Sequence, residues 1–458
     1  MSGLTQQLAQ FVVNPGFDAA SSEAFTVAKT GIADTTATML AGCTEPVVGM
    51  LLKHYAHLAG AAAGGHAAPV PFKKLSLPSA QAACVNGTAA HALDYDDVAL
   101  AGHPSTVITP AILAEGHVLG CSGADLLRAY VIGYEVWAEL YSRDSGQYHL
   151  KGWHPTGVFG TIAAAAAVAH LHQLPVDLCV RALSLSASMA SGLVSNFGTM
   201  TKPLHAGRAA AAGIEAVQLA KLGLTSAPDV FEHRAGFLHA ISPEGKADLQ
   251  SPARDFGKRL RILDSGLSIK RYPMCYSAHR SIDAVLDIVN RENLQADQVR
   301  KVAVTLGRAQ DSMLRNHRPE TGLEAKFSLE FAIASALTVR RVGLKELSDT
   351  FVAQPKVREQ FEKVAITAVD THCPIDPSFA YADQVVIETH DGRSFDSGQV
   401  RFARGHAKLP LSLAQLREKF TDCVALGRSV SGIDEAAGVA LYEKLAALER
   451  QGSVRELF

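Results

Sequence analysis

The chain has 458 residues, of which 48% are hydrophobic and 19% charged, and its formal net charge is −2. A chain of this length folds as two or three domains, and this composition supports a large apolar core and excludes extensive disorder. The balance of 43 basic and 45 acidic residues, without a long basic run, excludes a nucleic-acid partner but still allows a local cationic cluster that binds a small anion.

The cysteines and the apolar stretches indicate the cellular environment. Seven scattered cysteines, none in a CxxC pair, are typical of reduced thiols in a cytosolic protein. The segment MSGLTQQLAQFVV lacks the basic and apolar regions of a secretory signal, and the longest apolar stretches are interrupted by Gly, His or charged residues. We therefore expect a cytoplasmic protein that does not enter a membrane.

Up to about residue 265, apolar residues recur at a spacing of three to four, which predicts one helix after another. In chain order, the predicted helices cover residues 24–40, 124–144, 161–174, 176–193 and 206–224. Ala and Gly are abundant in these segments, and small residues let helices approach closely. The pattern therefore predicts a compact all-helical domain.

The pattern changes near residue 266. A strand is predicted over 297–307, and a hairpin over 383–403 with its turn at Asp391-Gly392. Helices are predicted over 325–341, 344–352, 413–426 and 434–451. The sequence thus predicts a mainly α protein, in which 1–266 and 404–458 form a large helical domain and 267–403 form a smaller, inserted α+β lid domain.

The nucleotide- and hydrolase-type motifs GxGxxG, GxxxxGK[ST] and GxSxG are absent, as is HExxH. Four other segments each combine a His or Lys with Gly or Pro at a predicted loop–helix junction. These segments are HALDYDDVALAGHPST, KGWHPTGVFGT, TKPLHAGRAA and IKRYPMCYSAHRS. Any one of these histidines fits a structural role, so it is their recurrence that indicates a site.

Two of these segments predict an anion site at a helix start. Pro155 and Pro203 suit the first turn of a helix, which places His154 and Lys202 at the positive end of the helix dipole. The backbone N–H groups of a first helical turn can hydrogen-bond a carboxylate, and the helix dipole and a nearby cation attract its negative charge.

A divalent-metal site is the alternative for the first segment. His91, Asp94, Asp96, Asp97 and His103 supply ligand types that such an ion accepts. The later lysine-bearing segments suit an anion better than a cation. We therefore expect no bound metal.

The chain resembles the MmgE/PrpD family, which includes 2-methylcitrate dehydratases, cis-aconitate decarboxylases and iminodisuccinate epimerases. The stretches that carry the resemblance span nearly the whole length: NGTAAHALDYDD, GHPS, GWHPTGVFGTIAAAAA, KPLHAGRAAAAG and IKRYPMCYSAH. The resemblance implies a mostly helical first domain, a smaller α+β lid, a homodimer and no required cofactor.

The resemblance also implies site residues. Asp94 matches a family active-site aspartate, His103 and His154 match active-site histidines, and Lys202 and Lys270 match substrate-facing lysines. The activities of the family share proton transfer at a carbon next to a carboxylate, where a positioned histidine contributes about 100-fold or more in rate. We assign His103 and His154 as acid/base groups, Asp94 as the group that orients a histidine, and Lys202 and Lys270 as carboxylate ligands.

Arg271, Tyr276 and His279 complete the predicted substrate-binding set. Three features depart from the decarboxylase pattern: Val98 replaces a threonine, Cys275 stands where a histidine is expected, and a later tyrosine has no counterpart. His279, four residues after Cys275, can fill the histidine position. The dehydratase branch continues GHPS with DNLG, whereas this chain continues with TVITP.

Three functions stay open on the residues alone. The first is a cofactor-free lyase, of decarboxylase or dehydratase type, acting on a small di- or tricarboxylate such as a cis-aconitate-like acid. The second is an epimerase or racemase of a similar acid. The third is a non-catalytic dimer that only binds carboxylates, which leaves the burial of so many polar groups without a role.

Overall fold

The computed structural model describes residues 2–17, 22–59, 67–144, 146–254, 256, 259–374 and 379–458. The chain divides into two compact units. The first unit contains residues 1–196, 200–267 and 412–458, and the second contains 197–199 and 268–411. The first unit is therefore discontinuous in sequence.

Helices make up most of the first unit. Its helices in chain order are α1 (Leu4–Val13), α2 (Ser22–Gly42), α3 (Pro46–His54), α4 (Ser79–Ala92), α5 (Ser105–Leu119), α6 (Gly123–Tyr141), α7 (Tyr148–Lys151), α8 (Pro155–Leu171), α9 (Val176–Met189), α10 (Thr201–Lys221), α11 (Phe237–Ile241) and α12 (Arg261–Ser265).

The second unit is α+β, and the chain then returns to the first unit. The second-unit helices are α13 (His279–Arg291), α14 (Arg308–Met313), α15 (Gly322–Ala325), α16 (Leu329–Val339), α17 (Asp349–Val352) and α18 (Pro355–Arg358), followed in the first unit by α19 (Leu413–Ser431) and α20 (Glu435–Ala446). The strands are β1 (Ala67–Val70) and β2 (Leu75–Pro78) in the first unit, and β3 (Val299–Gly307), β4 (Val364–Val369), β5 (Gln384–Thr389) and β6 (Ser394–Asp396) in the second.

Helix α10 packs on α4 and α8, and α6 also packs on α8. Small residues allow these helices to approach closely. A Cβ atom on Gly207 of α10 would lie 2.2 Å from the carbonyl oxygen of Cys84 in α4, and one on Gly213 would lie 2.5 Å from the Ala164 side chain in α8. Close approach fixes the starts of α8 and α10, where the predicted site residues lie.

The C-terminal helices complete the first unit. Ser412 caps α19 and forms a capping box with Gln415, so the helix begins at a defined residue after Pro410. Along its length α19 packs on α2, and α20 packs on both. The backbones of α19 and α2 approach closely at Gly427, where a Cβ atom would lie 1.9 Å from the carbonyl oxygen of Leu40.

The second unit is built on a four-stranded sheet in the order β4–β3–β5–β6. Strands β3 and β4 are parallel, with Val302 opposite Val364, whereas β5 is antiparallel to both β3 and β6. Parallel neighbours need a long crossover, and α14 to α18 lie within it. Helix α13 packs on β5 and on α16.

The mainly α prediction is confirmed, with local corrections. The first unit is not purely helical, because β1 and β2 pair as an antiparallel hairpin. Its four-residue strands are too short to show a twofold alternation. The helix predicted over 344–352 is confined to α17, and β4 was not predicted. Among the described residues, no helix has both the length and the apolar character that crossing a bilayer requires.

Alanine substitutions at two glycines, one in the α19–α2 contact and one outside it, should change the stability of the protein in opposite directions. Gly427→Ala should destabilise the protein by about 1–3 kcal/mol, because the added methyl group overpacks the contact with the α2 backbone. Gly49→Ala, in the exposed part of α3, has nothing within 4 Å of the added methyl group and should stabilise by roughly 0.5–1 kcal/mol through helix propensity alone. Thermal or denaturant unfolding measures both changes, and equal stabilisation by both substitutions would contradict the close α2–α19 contact.

Candidate active site

The loop 93–104 connects α4 to α5 and carries the first group of predicted site residues. Three of its residues are in the left-handed backbone region although none is glycine: Asp94 and Leu100 have φ of 51°, and Ala101 has φ of 57°. Such a conformation costs about 1 kcal/mol or more for each residue, so contacts with the surrounding structure must hold the loop.

Hydrogen bonds and a tight steric fit hold the second half of this loop. Ala99 and Gly102 exchange backbone hydrogen bonds of 3.0 and 2.9 Å, and the Trp137 indole N–H donates to the Leu100 carbonyl at 3.3 Å. A Cβ atom on Gly102 would lie 2.7 Å from the Trp137 ring. The glycine of GHPS therefore lets the loop pack directly against α6.

The buried Asp96 carboxylate contacts two imidazoles. His91 Nδ1 lies 2.9 and 3.0 Å from the two carboxylate oxygens of Asp96, and His103 Nδ1 lies 3.1 Å from one of them. His103 Nδ1 also lies 2.9 Å from the carbonyl oxygen of Asp97. These oxygens only accept, so both Nδ1 atoms carry the proton and, in the neutral ring, Nε2 carries the lone pair.

Burial and the neighbouring imidazoles shift the pKa values of the Asp96 and Asp97 carboxyl groups. Burial raises the pKa of Asp96, but the adjacent His91 and His103 imidazoles outweigh it and hold that pKa well below its usual value. Burial raises the pKa of Asp97 well above its usual range. Asp96 therefore stays ionised, whereas Asp97 favours its neutral form.

The Lys202 ammonium joins this loop to α10. It donates to Asp94 and lies 3.0 Å from His91 Nε2, which must accept because an ammonium has no acceptor. Burial, together with the nearby Lys202 and against the opposing effect of Asp96, lowers the pKa of His91 to about 3. His91 is thus a neutral bridge between the ammonium and the Asp96 carboxylate.

Two more histidines lie beside this group. His154, the residue before α8, has its ring centroid 5.9 Å from that of His91 and 6.5 Å from that of His103. Its Nδ1 lies 3.1 Å from Nδ1 of His205 on α10, so one ring donates and the other accepts. Burial, and then the nearby Lys202 ammonium, lowers the pKa of His205 to about 4 and that of His154 well below its usual value.

A divalent ion has a competitor at this position. Ligand atoms of His91, Asp94, Asp96 and His103 lie within 4.8 Å of one another, the geometry that a metal site requires. The Lys202 ammonium already bonds to two of these four residues and supplies a positive charge there. A metal ion would therefore have to displace it or tolerate like-charge repulsion.

The remaining predicted residues lie in the second unit, on the segment before α13 and at its start. Lys270 is buried, Arg271 is half-buried, and Cys275 donates its backbone N–H to the carbonyl of Lys326. His279 is the first residue of α13. Its ring centroid lies 4.8 Å from that of Tyr276, and its Nε2 lies 3.3 Å from the Met274 carbonyl. The predicted binding role of this segment stays a prediction.

The first unit brings Asp94, His103, His154 and Lys202 together. Asp94 accepts from Lys202 and lies 4.0 Å from His103 Nε2, and its role in orienting a histidine stays a prediction. Asp96 contacts the His91 and His103 imidazoles, whereas the sequence predicted Asp96 and His91 only as possible metal ligands. His205 was missed, although its spacing of three from Lys202 places both on one face of α10.

Comparisons with known proteins identify the family of the chain. The model of the MmgE/PrpD N-terminal domain matches residues 6–250, and that of the MmgE/PrpD C-terminal domain matches residues 272–436. The chain is 31% identical over 360 residues to a cis-aconitate decarboxylase of Mus musculus, covering 75% of this chain and 71% of that protein.

Two further relatives carry the same name. The cis-aconitate decarboxylase of Homo sapiens is 30% identical over 359 residues, which cover 76% of this chain and 73% of that protein. That of Aspergillus terreus is 27% identical over 340 residues, which cover 68% of each chain. The resemblance drawn from the sequence motifs is confirmed, and the chain belongs to the MmgE/PrpD family.

Proposed function

We propose that this protein is a cofactor-free decarboxylase of a small tricarboxylate of the cis-aconitate type. The observation that carries the proposal is the arrangement of His103, whose Nδ1 contacts the buried Asp96 carboxylate, beside the buried Lys202 ammonium. A histidine held in this way by a carboxylate is suited to proton transfer. The names of the relatives support the choice of substrate and of a lyase reaction.

The chemistry of the substrate defines what the site must do. In cis-aconitate, one carboxylate is attached to a CH2 group next to the carbon–carbon double bond. When the bond to that carboxylate breaks, its electron pair forms a new double bond between the CH2 carbon and the central carbon. The electrons of the old double bond move to the CH carbon, which lies next to another carboxylate and takes up one proton. Carbon dioxide leaves, and a five-carbon dicarboxylate with a terminal =CH2 group remains.

His103 is the proposed proton donor for this step. Because Nδ1 of His103 contacts Asp96, Nε2 is the nitrogen that exchanges the proton, and Asp96 stabilises the imidazolium that forms when Nε2 takes it up. The Asp94 and Asp96 carboxylates and the Lys202 ammonium together carry a charge of −1. A bound trianion adds more negative charge and therefore favours proton uptake by the neighbouring imidazoles. His154 is the second acid/base group in the proposal.

Cations must hold the charge that builds up near the carboxylates. Lys202 lies in the first turn of α10, so in this proposal its ammonium and the positive end of the helix dipole attract the same carboxylate. One ammonium cannot balance a trianion, so the proposal adds Lys270 and Arg271, with Tyr276 and His279 as further substrate contacts. A donor aimed at the developing enolate is worth about 3 kcal/mol in the transition state.

Proton NMR in deuterated water with cis-aconitate tests the proposed function. We expect two =CH2 signals to appear, one deuterium to enter the neighbouring saturated CH2 group, and carbon dioxide to be released at an equal rate. A chelator should leave the rate unchanged. Hydrogen exchange without net conversion would favour the epimerase, addition of water the dehydratase, and the absence of any change would contradict the proposal.

The same assay tests the proton donor. His103→Ala should lower turnover by about 100-fold or more, the usual contribution of a general acid. His239→Ala, at an exposed position of α11, is the matched control and should leave turnover unchanged. Near-normal turnover of a folded His103→Ala protein would remove His103 from the mechanism.

Lys202 and Lys221 form a second matched pair, because both lie on α10 and both lie within hydrogen-bonding distance of a histidine nitrogen. Lys202 Nζ lies 3.0 Å from His91 Nε2 inside the site, and Lys221 Nζ lies 2.9 Å from His172 Nδ1 on the surface. Lys202→Met should lower kcat/KM by about 100-fold or more, and Lys202→Arg should restore only part, because a planar fork does not replace a point charge. Lys221→Met should retain parental kinetics, and equal effects of the two Met substitutions would contradict the assignment.

The neutral state of the histidines generates a pH prediction. The pKa of His205 is about 4 in the folded protein against 6.5 for an ordinary histidine, so between these values the unfolded chain binds a proton that the folded chain does not. This histidine therefore destabilises the protein as the pH falls through that window. From pH 7.5 to 4.5 the melting temperature of the parent should fall relative to that of His205→Gln by about 1–3 °C. A difference independent of pH would contradict the neutral histidine cluster.

A further inference from the structure

Lys419 of α19 reaches the candidate site from the C-terminal part of the first unit. Its side chain is 4% exposed, and its Nζ donates to the carbonyl oxygen of Tyr95 in the loop 93–104 at 2.7 Å. The same ammonium lies 4.0 Å from the centroid of the Tyr95 ring. It also forms a 2.7 Å ion pair with Asp34 of α2, whose side chain is equally buried.

The carbonyl that Lys419 holds has a particular position in the loop. It belongs to the peptide group that joins Tyr95 to Asp96, so its orientation sets the direction from which the Asp96 side chain leaves the backbone. Asp94, the residue that precedes Tyr95, has a left-handed φ of 51°. The first half of this strained loop therefore has its backbone fixed by Lys419, as the second half is fixed by the Trp137 indole.

The Lys419 ammonium has a second acceptor besides its ion-pair partner. An ammonium has three donors, and here it serves both the Asp34 carboxylate and a backbone carbonyl. A carbonyl acceptor adds directional constraint, since the donor must lie near its lone pairs. The contact thus transmits the position of α19, which packs on α2, to the carboxylate that contacts His91 and His103.

We infer that Lys419 is a positioning residue: it holds the Tyr95–Asp96 peptide so that Asp96 keeps the imidazole of His103 oriented for proton transfer and that of His91 in contact with Lys202. It acts through Asp96, from a helix more than 300 residues later in the chain. Its expected effect on turnover rests on the proposed function. Its expected effect on the backbone mobility of the loop rests on the loop geometry alone.

Steady-state kinetics with cis-aconitate on Lys419→Met, Lys419→Arg and Lys444→Met tests the inference. Lys444 is the matched control, because its Nζ also donates to a backbone carbonyl, that of Glu456 at 2.6 Å, but on the surface. Lys419→Met should lower kcat by about 10- to 100-fold, the effect of a small misplacement of a reacting group, while KM changes by less than about threefold. Lys419→Arg should restore part of kcat, and Lys444→Met should match the parent.

Two further measurements keep the inference testable. If Lys419→Met does not fold, the double variant Asp34→Asn/Lys419→Met removes both buried charges together, which proteins tolerate better than the loss of one partner. That variant should show the same loss of kcat, and parental kcat in it, or in folded Lys419→Met, would overturn the inference.

If the parent does not decarboxylate cis-aconitate, the proposed function fails but the inference is still tested. Hydrogen–deuterium exchange of the full-length proteins then decides. Peptides covering the loop 93–104 should exchange about tenfold faster in the Lys419 variant than in the parent and in Lys444→Met, whereas peptides from α8 should be unchanged. Equal exchange of the loop in all three proteins would overturn the inference.

Discussion

The ammonium group of Lys202 lies inside the first unit, where it bonds to Asp94 and His91. Without it, the buried Asp94 carboxylate would lose its ion pair with Lys202, and breaking a buried ion pair costs several kcal/mol. Lys202 is carried by α10, the helix on which α4 and α8 pack. The charge that balances the site and the helix that organises the core are therefore parts of one element.

This dependence explains why small residues are so frequent in the first unit. Gly207 and Gly213 bring α10 into direct contact with α4 and α8, and these contacts fix where Lys202 and His154 lie. The histidines then meet in a buried volume, where burial holds His91, His154 and His205 in the neutral state. Neutral imidazoles are also the form that can accept a proton, so the packing of the core sets the acid–base state of the site.

The sequence predicted well those features that local patterns encode. Helical periodicity identified α2, α6, α8, α10 and α19, and the Asp391-Gly392 turn identified the β5–β6 hairpin. Pro155 and Pro203 placed His154 and Lys202 near helix starts, where the structure has them. These features depend on residues a few positions apart, which a single sequence displays.

The features that escaped prediction depend on contacts between distant segments. Asp96 and Asp94 are chemically identical in DYDD, and only the left-handed turn at Asp94 directs one to Lys202 and the other to the imidazoles. Strand β4 has no clear alternation, and its pairing with β3 is parallel and distant in sequence. The contact of Lys419 with Tyr95 joins residues 324 positions apart, with no local pattern to indicate it.

The same distant pairing has a consequence for how the chain is made. Helix α2 emerges from the ribosome early, but its packing partner α19 is about 370 residues further along. At a synthesis rate of 5–20 residues per second, α19 becomes available to pack on the apolar face of α2 on the order of 20–70 s after α2 is made. The first unit, and the site within it, can only be completed after the whole second unit has been synthesised.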